Sequence, residues 1–197
     1  MPNTFAYVML LLWPLVALVL YKKKPVLEAT FWTIVGGYLL LPQGVDIDYP
    51  LIPALDKNTI PAISAFFGCR FIANKKVTFL PSASIERNLM LLFVLGLTIT
   101  VMNNGDPIEE VGRFIPGLSY YDFFSVIMYK YLLLLPFILG LQLIISREDQ
   151  IRVLSLLVIS GLYYSLLALI EIRLSPQLHN WIYGFFPHTW GQQVRYG

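Results

Sequence analysis

The chain has 197 residues, 57% of them hydrophobic and 13% charged, with a mean hydropathy of +0.66. A soluble domain carries about 25% charged residues, and here the charges are missing in blocks, which excludes a soluble globular domain and indicates a chain built for lipid. The net charge of +2 is scattered rather than gathered into a basic stripe, which argues against nucleic acid as a partner.

Residues 1–4 carry no basic cluster, and the first apolar run has no small-x-small cleavage site before Lys22. Residues 5–21 therefore read as a retained membrane helix rather than a signal peptide. Pro14 sits in its middle, where a membrane helix is kinked without being ended. Lys22, Lys23 and Lys24 stop it. The second span, 25–41, has Glu28 near its start and the pair Gly36 and Gly37, which allow close helix packing. A loop with three aspartates and several prolines follows. The third segment, 59–73, is short against the roughly 20 residues a spanning helix needs, so a tilted or re-entrant piece is the alternative to a true span. Its Cys69, the one cysteine, cannot form an internal disulfide and reads as a small buried hydrophobe. Spans at 88–102, 123–145 and 151–170 complete the set, with an acidic loop before the second of these and a tight S-R-E-D-Q turn before the last.

Basic residues set the orientation. Lys22, Lys23, Lys24, Arg70, Lys75, Lys76, Arg87, Arg147 and Arg152 fall on one side, nine in all, against four, Lys57, Arg113, Arg173 and Arg195, on the other. The positive-inside rule makes the first side cytoplasmic. The count closes with six crossings, which supports the third segment as a span and leaves residues 171–197 outside. Lys130 alone lies well within a span, the one feature that favours a transporter or flippase subunit.

Polar chemistry collects in that tail. Glu171 and Arg173 end the sixth span. Ser175 and Pro176 read as a helix N-cap and first position, and the helix they open, 176–186, carries Leu178, Trp181, Ile182 and Phe185 on one face and His179, Asn180 and Tyr183 largely off it. This is the pattern of an amphipathic helix lying on the outer membrane surface, with Trp181, Tyr183 and Trp190 as interfacial aromatics. Both histidines, His179 and His188, and two outward basic residues, Arg173 and Arg195, are in this stretch. Arginine forks suit phosphate oxygens, and histidine can move a proton near neutral pH. These four are the candidate substrate-binding residues. No catalytic residue is assigned. The histidines have no cysteine partner, so no metal is expected, and no Gly-rich phosphate loop implies a nucleotide cofactor.

The run E-I-R-L-S-P-Q-L-H-N-W-I-Y-G-F-F-P-H, residues 171–188, followed by Q-Q-V-R-Y-G, residues 192–197, resembles the O-antigen ligase and polymerase superfamily, in the branch of exopolysaccharide polymerases and exosortase-associated O-glycosylation ligases. Over residues 1–170 the resemblance rests on hydropathy and topology. It implies an all-α, GT-C-like membrane bundle in a bacterial inner membrane. It also implies a glycan transferase without cofactor or metal, passing glycan from an undecaprenyl-pyrophosphate donor to a lipid, glycan or protein acceptor. Arg195 matches the family arginine associated with the donor pyrophosphate. The family's second arginine and catalytic histidine have no counterpart here, and its members carry more spans. The chain is accordingly expected to be an N-terminal part of a longer protein, with residues 171–197 opening a large outer loop, and to be inactive alone. A transporter or flippase subunit and a non-catalytic membrane scaffold are the competing classes.

The charge count generates a labelling pattern. Cysteines introduced at Lys23, Lys75 and Glu148 are expected to resist impermeant thiol reagents in intact cells, and those at Asp56, Glu109 and Gln192 to react. Labelling at Lys75 with protection at Asp56 removes the third span.

Overall fold

The computed structural model describes residues 2–49, 52–110, 113–174 and 178–186. Within them the chain is a largely helical, multi-span protein. Helices α1 (Thr4–Lys23), α4 (Ser84–Met102), α5 (Tyr120–Leu143) and α6 (Arg147–Leu174) are long and apolar enough to cross a membrane. Two shorter apolar helices lie among them: α2 (Val26–Leu40), and α3 (Thr59–Phe67) with its π-helical continuation Gly68–Ile72. At 1.5 Å per residue α2 is about 22 Å long, less than the roughly 30 Å of a bilayer core. The short helices are the packed ones. Ala29, Thr30, Phe31, Thr33, Ile34, Gly36 and Gly37 of α2 are buried, and so is α3 from Thr59 to Ala62 and from Ser64 to Phe66. Protein rather than lipid surrounds them, so the length requirement on a lipid-exposed helix falls on their neighbours.

Helix α1 runs unbroken through Pro14, whose side faces outward, and buries a single stripe: Ala6, Leu10, Trp13, Ala17 and Tyr21. The spacing of three to four places these on one face. Near one end of the bundle Ala6, Leu10 and Trp13 pack with Leu41, Val45 and Ile60. Near the other, Tyr21 packs with Ala65, Cys69, Ile138 and Leu139. Helix α3 and its continuation therefore descend from the level of Leu10 to that of Tyr21, alongside α1 and in the same direction, as a crossing requires.

Glycines set the close approaches. A Cβ on Gly37 would lie 2.3 Å from Pro61 Cγ, and one on Gly68 would lie 2.2 Å from Tyr21 Cε2. Trp13 donates from Nε1 to the Thr33 carbonyl at 2.9 Å, tying α1 to α2. A polar knot joins α1, α2 and the π-helical turn: Tyr21 Oη lies 2.7 Å from Thr30 Oγ1, 3.0 Å from the Ala65 carbonyl and 3.3 Å from Cys69 Sγ. Thr30 Oγ1 donates to the Val26 carbonyl at 2.8 Å. Cys69 is thus buried, as expected for a small hydrophobe, and also takes part in this knot.

The basic end is gathered by charge. Arg152, in the first turns of α6, donates from Nε to Glu28 Oε1 at 3.0 Å, and Lys24 Nζ lies 3.8 Å from Glu28 Oε2. Asn3, Leu40 and α7 (Leu178–Tyr183) meet at the opposite end.

The loops are more ordered than the sequence suggests. In the loop after α2, β1 (Ile47–Tyr49) and β2 (Ile52–Leu55) pair antiparallel, with Ile47 opposite Leu55. In the loop after α4, β3 (Ile108–Glu110) and β4 (Arg113–Ile115) pair likewise, with Glu110 opposite Arg113. Among the described residues the fold is all-α apart from these two short hairpins. Aspartate and proline punctuate these segments enough to hide a three-residue alternation, and short hairpins need no more than that.

Gly68→Ala is expected to lower thermal stability by about 1–3 kcal/mol, because the rigid Tyr21 ring cannot yield to the added methyl. Gly96→Ala, whose Cβ meets nothing within 4 Å, is expected to stay within about 0.5 kcal/mol of the parent. Circular-dichroism melts of both variants in one detergent check this; equal melting temperatures count against the packing described.

Candidate functional site

Helix α7 roofs a cavity of about 460 Å³ at the end of the bundle opposite the basic cluster. Its walls come from α1 (Phe5, Met9), the end of α2 and the residues after it (Leu39, Leu40, Leu41, Gln43), the outer part of α6 (Tyr164, Leu167, Glu171) and α7 (Leu178, His179, Ile182, Tyr183). The lining is mainly apolar with a few polar groups converging on it, the usual make-up of a small-molecule site, and the volume lies in the range of roughly 300–1,000 Å³ typical of one.

Three polar ties hold the roof. Tyr183 is buried, and its hydroxyl donates to the carbonyl of Leu40, in the last turn of α2, where helix carbonyls have no partner along the helix. Asn3 caps α1 by accepting from the Ala6 N–H at 3.0 Å, while its Nδ2 donates to the Ile182 carbonyl at 2.9 Å. The Asn3 backbone N–H donates to the Tyr183 carbonyl at 2.9 Å. Gly184 ends α7 with φ +77°, and a Cβ there would meet Asn3 Cβ at 3.1 Å. Glycine is required both for the left-handed turn and for the approach of Asn3.

The helix expected over 176–186 is observed as Leu178–Tyr183. Tyr183, placed off the apolar face by the sequence, is the buried anchor, whereas Trp181 is 62% exposed. A hydroxyl aimed at an open carbonyl outweighs side-chain hydropathy in choosing the face.

His179 Nδ1 lies 3.0 Å from the Phe185 carbonyl. A carbonyl only accepts, so Nδ1 carries the proton, and in the neutral ring Nε2 is left with a lone pair. That Nε2 is buried and has no hydrogen-bond partner. The ring is held between Tyr183 and Phe185, with centroids 5.0 and 4.8 Å away. Glu171 lines the same cavity, and among the described residues its carboxylate has no partner. Arg173 is exposed in the last turn of α6 and is not among the lining residues, because positions two apart on a helix do not face the same way. The structure thus brings His179 to the site and not Arg173. His188, Arg195 and the expected N-cap at Ser175 and Pro176 lie outside the described residues.

Glu171 was legible only as a helix terminator, and Asn3, Gln43 and Tyr164 carried no signal, since nothing local says that the beginning of α1 meets a segment some 180 positions later.

A second, polar pocket of about 340 Å³ adjoins the first through Gln43 and is lined further by Gly44, Val45, Asp46, Asp56, Lys57 and Asn58. Asp56 is committed to structure. Its Oδ1 accepts from the backbone N–H groups of Asn58 and Thr59 at 2.9 and 2.8 Å, and its Oδ2 accepts from the Tyr129 hydroxyl at 3.1 Å. Burial pushes the Lys57 ammonium down from its ordinary value, and the neighbouring Asp56 carboxylate opposes that shift. The residue after Tyr129, Lys130, lies near the midpoint of α5 with its ammonium 5.8 Å from the Tyr129 ring centroid. Among the described residues no group of histidine, cysteine, aspartate or glutamate side chains is placed to hold a metal ion.

No family model, curated protein or solved structure matches the chain. These comparisons tie it to no ligase or polymerase family. The fold supports the coarser class, a multi-span helical membrane protein.

Tyr183→Phe removes the hydrogen bond to the part-buried Leu40 carbonyl, a loss of about 0.5–1.5 kcal/mol. Backbone amides of α7 are expected to exchange with deuterium about twofold to tenfold faster in this variant, with α1 to α3 unchanged. An unaltered α7 rate would show that the roof is held by other means.

Proposed function

We propose that the chain is part of a membrane glycan transferase of the O-antigen ligase or polysaccharide polymerase type, acting at the outer face of a bacterial inner membrane. One observation carries the reading: the stretch that resembles this superfamily, 171–188, contributes both α7 and the Glu171 end of α6 to a cavity at the non-basic end of the bundle. A reaction on a lipid-borne glycan needs such a place, apolar toward the bilayer and polar at its rim. The donor is an undecaprenyl-pyrophosphate glycan and the acceptor a hydroxyl on a lipid, glycan or protein. A base takes the acceptor proton while the oxygen attacks the anomeric carbon with inversion, and cationic groups stabilise charge on the departing pyrophosphate. Arg195 is proposed for that second role, with Arg173 and His188 near it in the sequence. The leaving pyrophosphate makes the transfer favourable without a nucleotide. A transporter or flippase subunit is the alternative, motivated by Lys130 within α5.

The test uses the full-length protein in membranes, measuring glycan transfer from the undecaprenyl-linked donor at matched expression. Arg195→Lys keeps the charge but not the paired donors and is expected to lose much of the rate. Arg195→Ala is expected to lose about one to two decades. Wild-type rates in Arg195→Ala end the assignment of Arg195, and no transfer by the parent protein ends the transferase reading.

A further inference from the structure

We propose that an apolar groove between α5 and α6 holds one acyl chain of an anionic membrane phospholipid, whose phosphate is bound by Lys24 and Arg152. The inference is independent of the transfer reaction and of the cavity beneath α7.

Helices α5 and α6 are joined by residues 144–146 but lean on different neighbours, α5 on α3 and α4, and α6 on α2. The wedge between them is floored by α2 and contains a groove of about 140 Å³, lined by Leu27, Phe31 and Ile34 of α2, Pro136 and Gly140 of α5 and Val153 of α6. Gly140 keeps the α5 wall low: a Cβ there would meet only Ile144 Cδ1, at 3.9 Å, an ordinary contact. Leu27, Pro136 and Val153 are half-buried, so the groove is open to the surroundings of the bundle. Among the described lining residues only Thr30 has a polar side chain, and its hydroxyl is engaged with Tyr21 and the Val26 carbonyl. The walls therefore suit hydrocarbon. The volume is too small for a second helix, which is about 10 Å across, and leaves room for a flexible chain.

One end of the groove is charged. Glu28 follows Leu27 in the chain, Arg152 precedes Val153, and these two form the ion pair described above, with Lys24 Nζ 3.8 Å from Glu28 Oε2. Two cations share one carboxylate. The Glu28 side chain is 13% exposed, whereas those of Arg152 and Lys24 are 53% and 43% exposed. At 3.8 Å Lys24 makes an ion pair but no hydrogen bond, so its N–H groups remain available. Arg152 uses Nε and one Nη on Glu28, and the guanidinium has further donors. Asp149, in the first turn of α6, is occupied as its cap. From Leu27 to Val35 the α2 wall runs about 12 Å away from this end. A cationic end and a hydrocarbon slot leading away from it match the two parts of a phospholipid.

The charge selects the head. Within a bilayer an alkyl chain gains packing contacts rather than transfer from water, so the slot alone prefers no lipid over another. Phosphate oxygens accept charge-assisted hydrogen bonds from both cations. A choline head carries its own cation to a place that already has one in excess, and an anionic head does not.

The test titrates the purified full chain in dodecyl maltoside micelles with dioleoyl phosphatidylglycerol or dioleoyl phosphatidylcholine and reads retained lipid by native mass spectrometry. One phosphatidylglycerol per chain is expected, bound about tenfold more tightly than phosphatidylcholine. Gly140→Leu and, separately, Val153→Phe direct side chains into the groove and are each expected to weaken phosphatidylglycerol about tenfold or more, with the melting temperature unchanged. Lys24→Gln is expected to weaken phosphatidylglycerol about threefold or more and to leave phosphatidylcholine as in the parent. This exposed position keeps the test decisive if neither groove variant folds. Equal affinity for the two lipids in the parent overturns the proposal. So does parental phosphatidylglycerol binding in both groove variants or in Lys24→Gln. A dimer of the parent chain that both groove variants abolish would put a second copy in the groove and overturns it too.

Discussion

The hydrogen bond from Tyr183 to the carbonyl of Leu40 organises the end of this protein away from the Glu28–Arg152 pair. A helix that stops inside a membrane protein leaves carbonyls without partners, and in an apolar setting each must be satisfied locally. Helix α2 stops early, being only 15 residues long. Its open carbonyl draws in the hydroxyl of a segment far along the chain, and that segment becomes the roof of a cavity. The shortness of α2 and the existence of the site are consequences of one another. Asn3 reinforces the arrangement by capping α1 and holding α7 with the same side chain.

Elsewhere the bundle is held by fit and by a few buried polar contacts. In lipid, apolar side chains gain little by leaving the solvent for one another, so close packing and hydrogen bonds decide which helices associate. Gly37 against Pro61, Gly68 against Tyr21, and the Tyr21–Thr30–Cys69 knot are contacts of this kind. The knot has three side-chain protons to distribute, from Tyr21, Thr30 and Cys69, over five close approaches that include the Ala65 and Val26 carbonyls. Not every approach is a hydrogen bond at one time, and the knot is best described as a shared polar seam between α1, α2 and α3.

Much of this was legible in the sequence where polarity varies and illegible where it does not. The apolar segments stand out because charged and proline-rich stretches bound them, and helices occupy them. The contact of Arg152 with Glu28 brings charged ends of α2 and α6 together. The packed face of α1 was hidden, since a helix apolar all round gives hydropathy nothing to contrast. What distinguishes its buried stripe is size and a polar tip, two alanines beside Trp13 and Tyr21, rather than hydrophobicity. The site was half visible. His179 stood out as a rare residue type, but the state of its ring depends on the carbonyl of Phe185, and its companions Gln43 and Asn3 are ordinary polar residues whose meaning comes entirely from who their neighbours are.

The tie between Asn3 and Ile182 spans 179 positions, and this fixes a sequence of events during biogenesis. A ribosome adds about 5–20 residues per second, so the interval between the emergence of one partner and the other is roughly ten seconds or more. For most of that interval α1 and α2 are already made while the Leu40 carbonyl and the apolar floor beneath it lack the cover that α7 later provides. Lipid is the natural first occupant of that floor. The nascent chain thus meets its membrane surroundings through an open groove and closes it late, when α7 arrives and converts a lipid-facing surface into an interior.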